Sequence, residues 1–302
     1  MAVPFEVTVP LRPLAHLQFL AGALSGFIEI ICFHPLDVVK TRMQIQGTRA
    51  LHGEVVYSSP LDAFVSIYRY EGFSSLWKGI VPPICVETPK RGGKFLMYEL
   101  FKPYFHFGAP QPTPLTHAVS GSVAGILESF LVNPFEVVKI TQQAHREKHL
   151  RTLSVVKYII KHDGYGIRGL YRGITALVAR NAVFHFGFFG FYNAIKDIVP
   201  SPANSTYDLL RKVIIAGLAS SLACVMSVTL DMAKCRIQGP QPVKGEVKYQ
   251  WTISTIRTTF RQEGFRALFK GLGAMILRAG PGGAMLLVSY EYLFEFLKSK
   301  YI

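Results

Sequence analysis

The element Pro35-Leu36-Asp37-Val38-Val39-Lys40 returns as Pro134-Phe135-Glu136-Val137-Val138-Lys139. It returns again, its proline replaced, as Thr229-Leu230-Asp231-Met232-Ala233-Lys234. A second element trails each copy: Gly72 before Trp77-Lys78-Gly79, Gly166 before Tyr171-Arg172-Gly173, and Gly264 before Phe269-Lys270-Gly271. The closing lysines of the first element lie 99 and 95 residues apart, and the aromatic-basic-glycine triplets 94 and 98. Two unlike elements in one order at one period make the chain a threefold repeat of one supersecondary unit. The units divide at residues 1–110, 111–205 and 206–302, as parts of one integral domain.

Six stretches are long and apolar enough to span a bilayer, which takes about 20 residues: roughly 17–43, 80–105, 114–143, 174–199, 209–238 and 272–298. Half of the 302 residues are hydrophobic and only 17% are charged, below the ~25% usual for soluble domains. Four cysteines, Cys32, Cys85, Cys224 and Cys235, have no CxxC spacing and exclude a disulfide scaffold. Several spans carry charge, and charge inside a membrane turns toward a wet interior. The expected fold is therefore an all-α membrane protein: six transmembrane helices, two per repeat, in pseudo-threefold order around a central cavity. An even number of spans puts both termini on one side.

The net charge is +14, and its placement is uneven. Sixteen Lys and Arg fall in the three long loops, 45–78, 145–172 and 239–270, and none in the opposing loops 103–113 and 197–210. The excess of basic residues marks the long loops as facing the inner compartment. Stretches at 62–68 and 152–160 repeat their apolar residues at helical spacing and are read as short surface helices. The first fifteen residues lack the pattern of a signal or transit peptide. A positive interior suits an anionic substrate and anionic lipid.

Asp37 and Lys40 lie one turn apart on one helix face, as do Glu136 and Lys139, and Asp231 and Lys234. Threefold symmetry gathers these six charges at one depth. A lysine of one repeat then meets the acid of another and closes the cavity floor; the alternative is three intrahelical pairs. Pro35 and Pro134 kink their helices just before the charges, and Thr229 leaves the third without that fixed bend. Counted from Gly79, Gly173 and Gly271, the seventh residues of the even spans are Val86, Arg180 and Arg278, and the eighth are Glu87, Asn181 and Ala279. Two guanidinium forks about 10 Å into the bilayer suit a dianion, and Asn181 can donate to a keto oxygen. Structural pairing of these arginines with Glu29, Glu87 or Glu128 is the competing reading. Glu87, Lys90, Arg91 and Lys94 form a stripe facing the cavity, where Lys90 or Arg91 holds a carboxylate or steers anions inward. Gly280-Pro281-Gly282-Gly283 interrupts the sixth span as a hinge or for close packing. Gly79, Gly173 and Gly271 start helices whose free N–H groups suit a lipid phosphate, such as that of cardiolipin.

The triple Pro-x-Asp/Glu-x-x-Lys element with its aromatic-basic-glycine partner resembles the signature of the mitochondrial carrier family over essentially the whole chain. The stretches 87–91 and 236–242 are similar to the branch of that family that carries 2-oxodicarboxylates. The resemblance implies a multi-pass inner-membrane antiporter with termini in the intermembrane space and long loops in the matrix. It implies exchange of 2-oxoglutarate and 2-oxoadipate by alternating access at one central site, with the six charges as the matrix gate. It further implies a glutamine brace under each gate pair, here Gln44, Gln143 and Gln238. A cytoplasmic gate follows from its aromatic-acid-x-x-basic pattern. Tyr98, Glu99 and Lys102 match that pattern in full; Tyr192 and Lys196 flank a lost acid at Asn193, and Tyr290 and Glu291 precede a lost base at Phe294. Pairing of Glu99 with Lys196 and Glu291 with Lys102 leaves both losses at one seam. Arg180 with Asn181 fits the family's keto-acid pattern, and Asn181, Arg278, Glu87, Lys90 and Arg91 complete the expected site.

No catalytic residues, metal site or cofactor are expected, nor any nucleic-acid partner; the chain is expected to be monomeric. The pair His145 and His149 has metal spacing but an ill-placed acid for a zinc helix. The alternatives are a carrier of another di- or tricarboxylate, a proton or anion leak, and a transport-dead membrane scaffold. Glu29 and Glu128 occupy equivalent places six residues before Pro35 and Pro134, as a proton site or as members of a network between helices.

Overall fold

A computed structural model describes residues 15–47, 56–105, 113–145, 150–200, 202, 205–241 and 247–301. Three long odd helices, α1 (Ala15–Ile45), α4 (Pro114–Ala144) and α7 (Ser205–Gln238), alternate with three even ones, α3 (Val81–Phe101), α6 (Ile174–Ile198) and α9 (Leu272–Tyr301). Each odd helix is joined to its even partner through a twelve-residue surface helix: α2 (Pro60–Glu71), α5 (Thr152–Asp163) and α8 (Thr252–Glu263). No strand occurs among the described residues. Neighbours in space run α1, α3, α4, α6, α7, α9 and back to α1, which closes a ring of six.

Five stretches, Leu20–Ile45, Pro114–Ala144, Ile174–Ile198, Tyr207–Gln238 and Phe265–Lys300, are long and apolar enough to cross a membrane. The sixth member of the ring, α3, is long enough at 21 residues, but Glu87, Lys90, Arg91 and Lys94 lower its hydropathy. The odd helices, 31 to 34 residues long, reach about 46 Å or more, well beyond a hydrocarbon core of ~30 Å. The surface helices α2 and α5 pack against the C-terminal parts of α1 and α4.

That packing explains the paired valines of the repeated element. Val38 and Val39 are sealed together with Ala63, Ile67 and Leu76, and Val137 and Val138 with Val155 and Ile159. Ala63 with Ile67, and Val155 with Ile159, sit four residues apart on one helix face. Burying each isoleucine contributes about 1.5–3 kcal/mol. Ser59 starts α2 by accepting a bond from the Asp62 amide at 3.1 Å, with Pro60 in the first turn. Thr113 and Thr116 form a reciprocal cap at the start of α4.

Two readings change. Gly166 does not correspond to Gly72 and Gly264. The residue ending α5 at positive φ is Gly164, as Gly72 and Gly264 end α2 and α8, and the second repeat then spends two extra residues in its turn. The Gly280–Gly283 stretch does not interrupt its span: α9 runs through it, with Gly282 beside Glu29 and Phe33 of α1. A Cβ at Gly280 or Gly283 would meet nothing within 4 Å, so packing bears on Gly282 and leaves the other two glycines without a structural explanation.

Candidate functional site

The six repeated charges meet at the inner end of the helix ring. Lys139 Nζ lies 2.8 Å from Asp37, Lys234 Nζ 2.8 Å from Glu136, and Lys40 Nζ 2.7 Å from Asp231. Each lysine reaches the acid of the preceding repeat, so the three pairs form a closed cycle. Lys234 also lies 3.4 Å from Asp231 on its own helix. Asp231 is fully buried, and a buried charge persists only with close partners of opposite sign.

Arg180 and Arg278 stand against this ring. Arg278 Nε is 2.7 Å from Asp37, and its Nη2 is 3.4 Å from Glu29. Arg180 Nε is 3.4 Å from Asp231. Each arginine thus pairs with an acid of the repeat after its own. Val86 holds the corresponding place on α3, so Glu136 meets no arginine from that position. The pairing with Glu29 weighed from the sequence is present, but the larger share of the arginines' charge goes to ring acids. Arg180 also lies over the Phe184 ring, 4.9 Å from its centre, and its Nη1 donates to Asn181 Oδ1 at 2.8 Å. Lys90 is 2.7 Å from Glu87 on its own helix. The Arg91 and Lys94 side chains lie outside the described residues.

The glutamines depart from a uniform brace. Gln44 donates to Asp231 at 2.8 Å. Gln143 instead meets His34 Nε2 at 3.4 Å, and Gln238 donates to Asn133 at 2.9 Å. His34 and Asn133 are the residues just before the two prolines. The matching residue of the third repeat is Val228, which has no polar atom to offer Gln44. His34 Nε2 is also 2.9 Å from the Lys78 carbonyl, and Asn133 donates to the Leu170 carbonyl at 2.9 Å.

The glycines at the even-helix starts have φ of 75° at Gly79, 69° at Gly173 and 84° at Gly271. A Cβ at Gly79, Gly173 or Gly271 would fall 3.3, 3.0 or 2.9 Å from Cγ of Gln143, Gln238 or Gln44 respectively. Positive φ and close approach both demand glycine here, whether or not a lipid binds.

A second charged layer below the ring escaped the sequence reading. Arg236 makes a two-pronged contact with Glu263 and donates to the backbone carbonyls of Gln44 and Gln46, at 3.1 Å each. Arg42 and Lys78 share Glu71 at 2.9 and 2.8 Å and both donate to the His145 carbonyl. Arg172 donates to the Gln238 carbonyl and to Thr141. In each repeat, cations thus cap the terminal carbonyls of the next odd helix, groups the helix itself leaves unpaired. Burial alone would push the Glu263 carboxyl up, but Arg236 and Lys270 hold it below the usual carboxylate range. The available signal was an acid before each capping glycine, Glu71-Gly72, Asp163-Gly164 and Glu263-Gly264. Aligning Gly166 in place of Gly164 hid it.

At the outer end, the side chains of Tyr98, Glu99 and Lys102 lie outside the described residues. Tyr192 stacks on Phe188 and Tyr290 on Phe294, each at 6.0 Å, while Glu291 is exposed. Asn193 donates to the Phe189 carbonyl of its own helix. A backbone bond and a ring stack therefore occupy the two positions that depart from the charge pattern. Lys196 is half-buried, and its backbone carbonyl accepts from Arg211.

Comparison with known proteins matches this arrangement. The family model described as mitochondrial carrier protein fits residues 13–108, 110–202 and 205–301. The mitochondrial 2-oxodicarboxylate carrier of Bos taurus is 44% identical, covering 95% of this chain and 96% of the relative. The mitochondrial 2-oxodicarboxylate carrier 1 of Saccharomyces cerevisiae is 35% identical over 95% of this chain and 96% of its own. The mitochondrial citrate transporter D of Aspergillus niger is 36% identical over 93% and 94%. With all three repeats matched and the helix ring in place, the chain belongs to the mitochondrial carrier family, a multi-pass transporter of the mitochondrial inner membrane rather than an enzyme.

Proposed function

We propose that this protein exchanges 2-oxodicarboxylates, such as 2-oxoglutarate and 2-oxoadipate, by alternating access through one central site. The names of the Bos taurus and Saccharomyces cerevisiae relatives support the substrate class. The observation that carries the site is the pairing of Arg180 with Asp231 and of Arg278 with Asp37. Both forks sit against ring acids, so a dianion that takes hold of them competes with two acids of the ring. Substrate binding and release of the floor then become one event.

In this reading the ring of Asp37, Lys40, Glu136, Lys139, Asp231 and Lys234 is the matrix gate, and its three closed pairs oppose a leak. Opening needs a ligand that favours the other state, about 5.5 kcal/mol for a nearly complete shift. Two carboxylates on two guanidinium groups supply contacts of that scale, which makes exchange obligatory. Lys90 and Arg91 guide anions inward, with Glu87 tempering Lys90. Tyr98, Glu99, Lys102, Tyr192, Lys196, Tyr290 and Glu291 serve the cytoplasmic gate. The bias of basic residues supports termini in the intermembrane space and α2, α5 and α8 in the matrix. Cardiolipin phosphates bind at the helix starts by Gly79, Gly173 and Gly271, and a groove joining Lys78 and Gly79 to Arg151 and Thr152 supports that placement. The functional unit is a monomer of the three repeats 1–110, 111–205 and 206–302.

The Aspergillus niger relative supports a second reading, exchange of a tricarboxylate. One assay separates the two. Purified protein in liposomes loaded with 2-oxoglutarate is challenged with labelled di- and tricarboxylates, amino acids and nucleotides. Preference for five- and six-carbon 2-oxodicarboxylates is expected, with Arg278→Ala lowering exchange about 100-fold, the scale of truncating one side of a buried charge pair. Full exchange by a folded Arg278→Ala protein overturns the site, and preference for citrate overturns the substrate class.

A further inference from the structure

We infer that Ser129 is a positioning residue for transport: through Asn181 it fixes the aim of the Arg180 guanidinium and so sets which dicarboxylate lengths are accepted. This rests on the central-site reading and assigns Asn181 a different task from contact with a keto oxygen.

Both ends of the Asn181 amide are engaged within the protein. The residue is 3% exposed. Its Oδ1 accepts from Arg180 Nη1 at 2.8 Å, and its Nδ2 donates to Ser129 Oγ at 2.9 Å. Ser129, fully buried, donates its own proton to the Gly125 carbonyl one turn back, at 2.8 Å. The orientation of this chain is forced. A guanidinium has only donors, so the amide oxygen must face it. The amide nitrogen then faces Ser129, whose hydroxyl spends its hydrogen on the backbone. Donation runs one way, from Arg180 to Asn181 to Ser129 to Gly125. The Phe184 ring and Asp231 hold two further sides of the same fork.

The relay belongs to the second repeat alone. The places of Ser129 and Asn181 are taken by Ile30 and Glu87 in the first repeat, and by Cys224 and Ala279 in the third. Cys224 and Ala279 belong to an apolar cluster with Val228, Met275 and Phe184. Arg278, one residue before Ala279, therefore has no neutral scaffold. It is held by two carboxylates, Glu29 and Asp37, and its side chain is 36% exposed against 22% for Arg180. One fork is fixed by a neutral relay as well as one carboxylate, and the other is held by two carboxylates. A dianion is measured against the relay-fixed fork, while the other follows its far end.

The experiment compares Ser129→Ala, Asn181→Leu and the double variant in liposomes, with exchange measured for four-, five- and six-carbon dicarboxylates with and without a 2-oxo group. Thermal unfolding of each purified protein is followed alongside. In Ser129→Ala, KM for 2-oxoglutarate is expected to rise about tenfold, the scale of one lost hydrogen bond, with kcat within about twofold. The preference for five carbons over four is expected to fall about as far. The double variant is expected to match Asn181→Leu, because the two residues act through one chain. Unchanged selectivity in both single variants overturns the relay. So does an equal loss for every substrate that follows a lowered unfolding temperature, which would make the residues packing only. Arg180→Ala separates this from the parent reading. If it exchanges 2-oxoglutarate normally, the central site is wrong; if it is inactive while Ser129→Ala and Asn181→Leu behave as wild type, only the relay is.

Discussion

α1 and α4 carry a proline in the repeated element, and α7 carries Thr229 in its place. Proline removes an N–H and strands the carbonyl four residues earlier. In the first repeat that carbonyl belongs to Ile31, and the Trp77 indole donates to it at 3.0 Å. The matching aromatic of the third repeat is Phe269, which has no donor and, opposite a residue with its own N–H, needs none. Before the prolines, His34 binds the Lys78 carbonyl and lies beside Gln143 of the next repeat, and Asn133 binds both the neighbouring backbone and Gln238. Val228 does neither, and its glutamine, Gln44, turns to Asp231. A single change from proline to threonine is thus accompanied by a matching set of changes around it. The proline-bearing helices gain neutral hydrogen bonds at this point, and the third is tied more heavily by charge.

The largest test of that contrast is at the acids. Asp231 meets Lys40, Lys234, Arg180 and Gln44, whereas Lys234 is the close cation partner of Glu136. Asp231→Asn is expected to abolish exchange and to destabilise the protein by about 3–5 kcal/mol, because it strands several buried cations. Glu136→Gln is expected to cost less than half of that, since Lys234 keeps Asp231. Exchange rates and unfolding curves of the two proteins decide it, and equal effects would erase the distinction.

Next come the residues before the prolines. His34→Val and Asn133→Val copy the third repeat into the others and leave buried amide and carbonyl groups unpaired. Each is expected to cost about 1–3 kcal/mol, read as a fall in unfolding temperature. A neutral result would mean that the glutamines find other partners. The smallest effect is expected at Trp77→Phe, about 1 kcal/mol for the bond to Ile31. The reverse change, Phe269→Trp, is expected to give no gain, because Thr229 leaves no stranded carbonyl.

The sequence showed the parts of this protein that obey its period. The odd and even helices and the six ring charges follow from positions that recur in register. What it hid was where the repeats differ. The partner of Gln143 depends on His34, and that of Gln44 on the absence of any polar atom at Val228; neither is visible until the helices are packed. Asn181 reads as a substrate contact because an amide beside an arginine suits a keto acid, and its bond to the buried Ser129 hydroxyl is visible only once α4 and α6 are packed. The Arg236–Glu263 layer was missed for a local reason, the two extra residues after Gly164 that shifted the alignment of one glycine.

The cations beneath the ring have a consequence for how the chain is made. The last carbonyls of α1 await Arg236, and that of Gln46 also awaits Lys270, residues synthesised some two hundred positions later. The first hairpin to enter the bilayer therefore keeps an unfinished end until the final hairpin arrives beside it. Assembly is a closure rather than a succession, slower the longer the chain that must be bridged, and a chain cut short of its third hairpin has no finished first one.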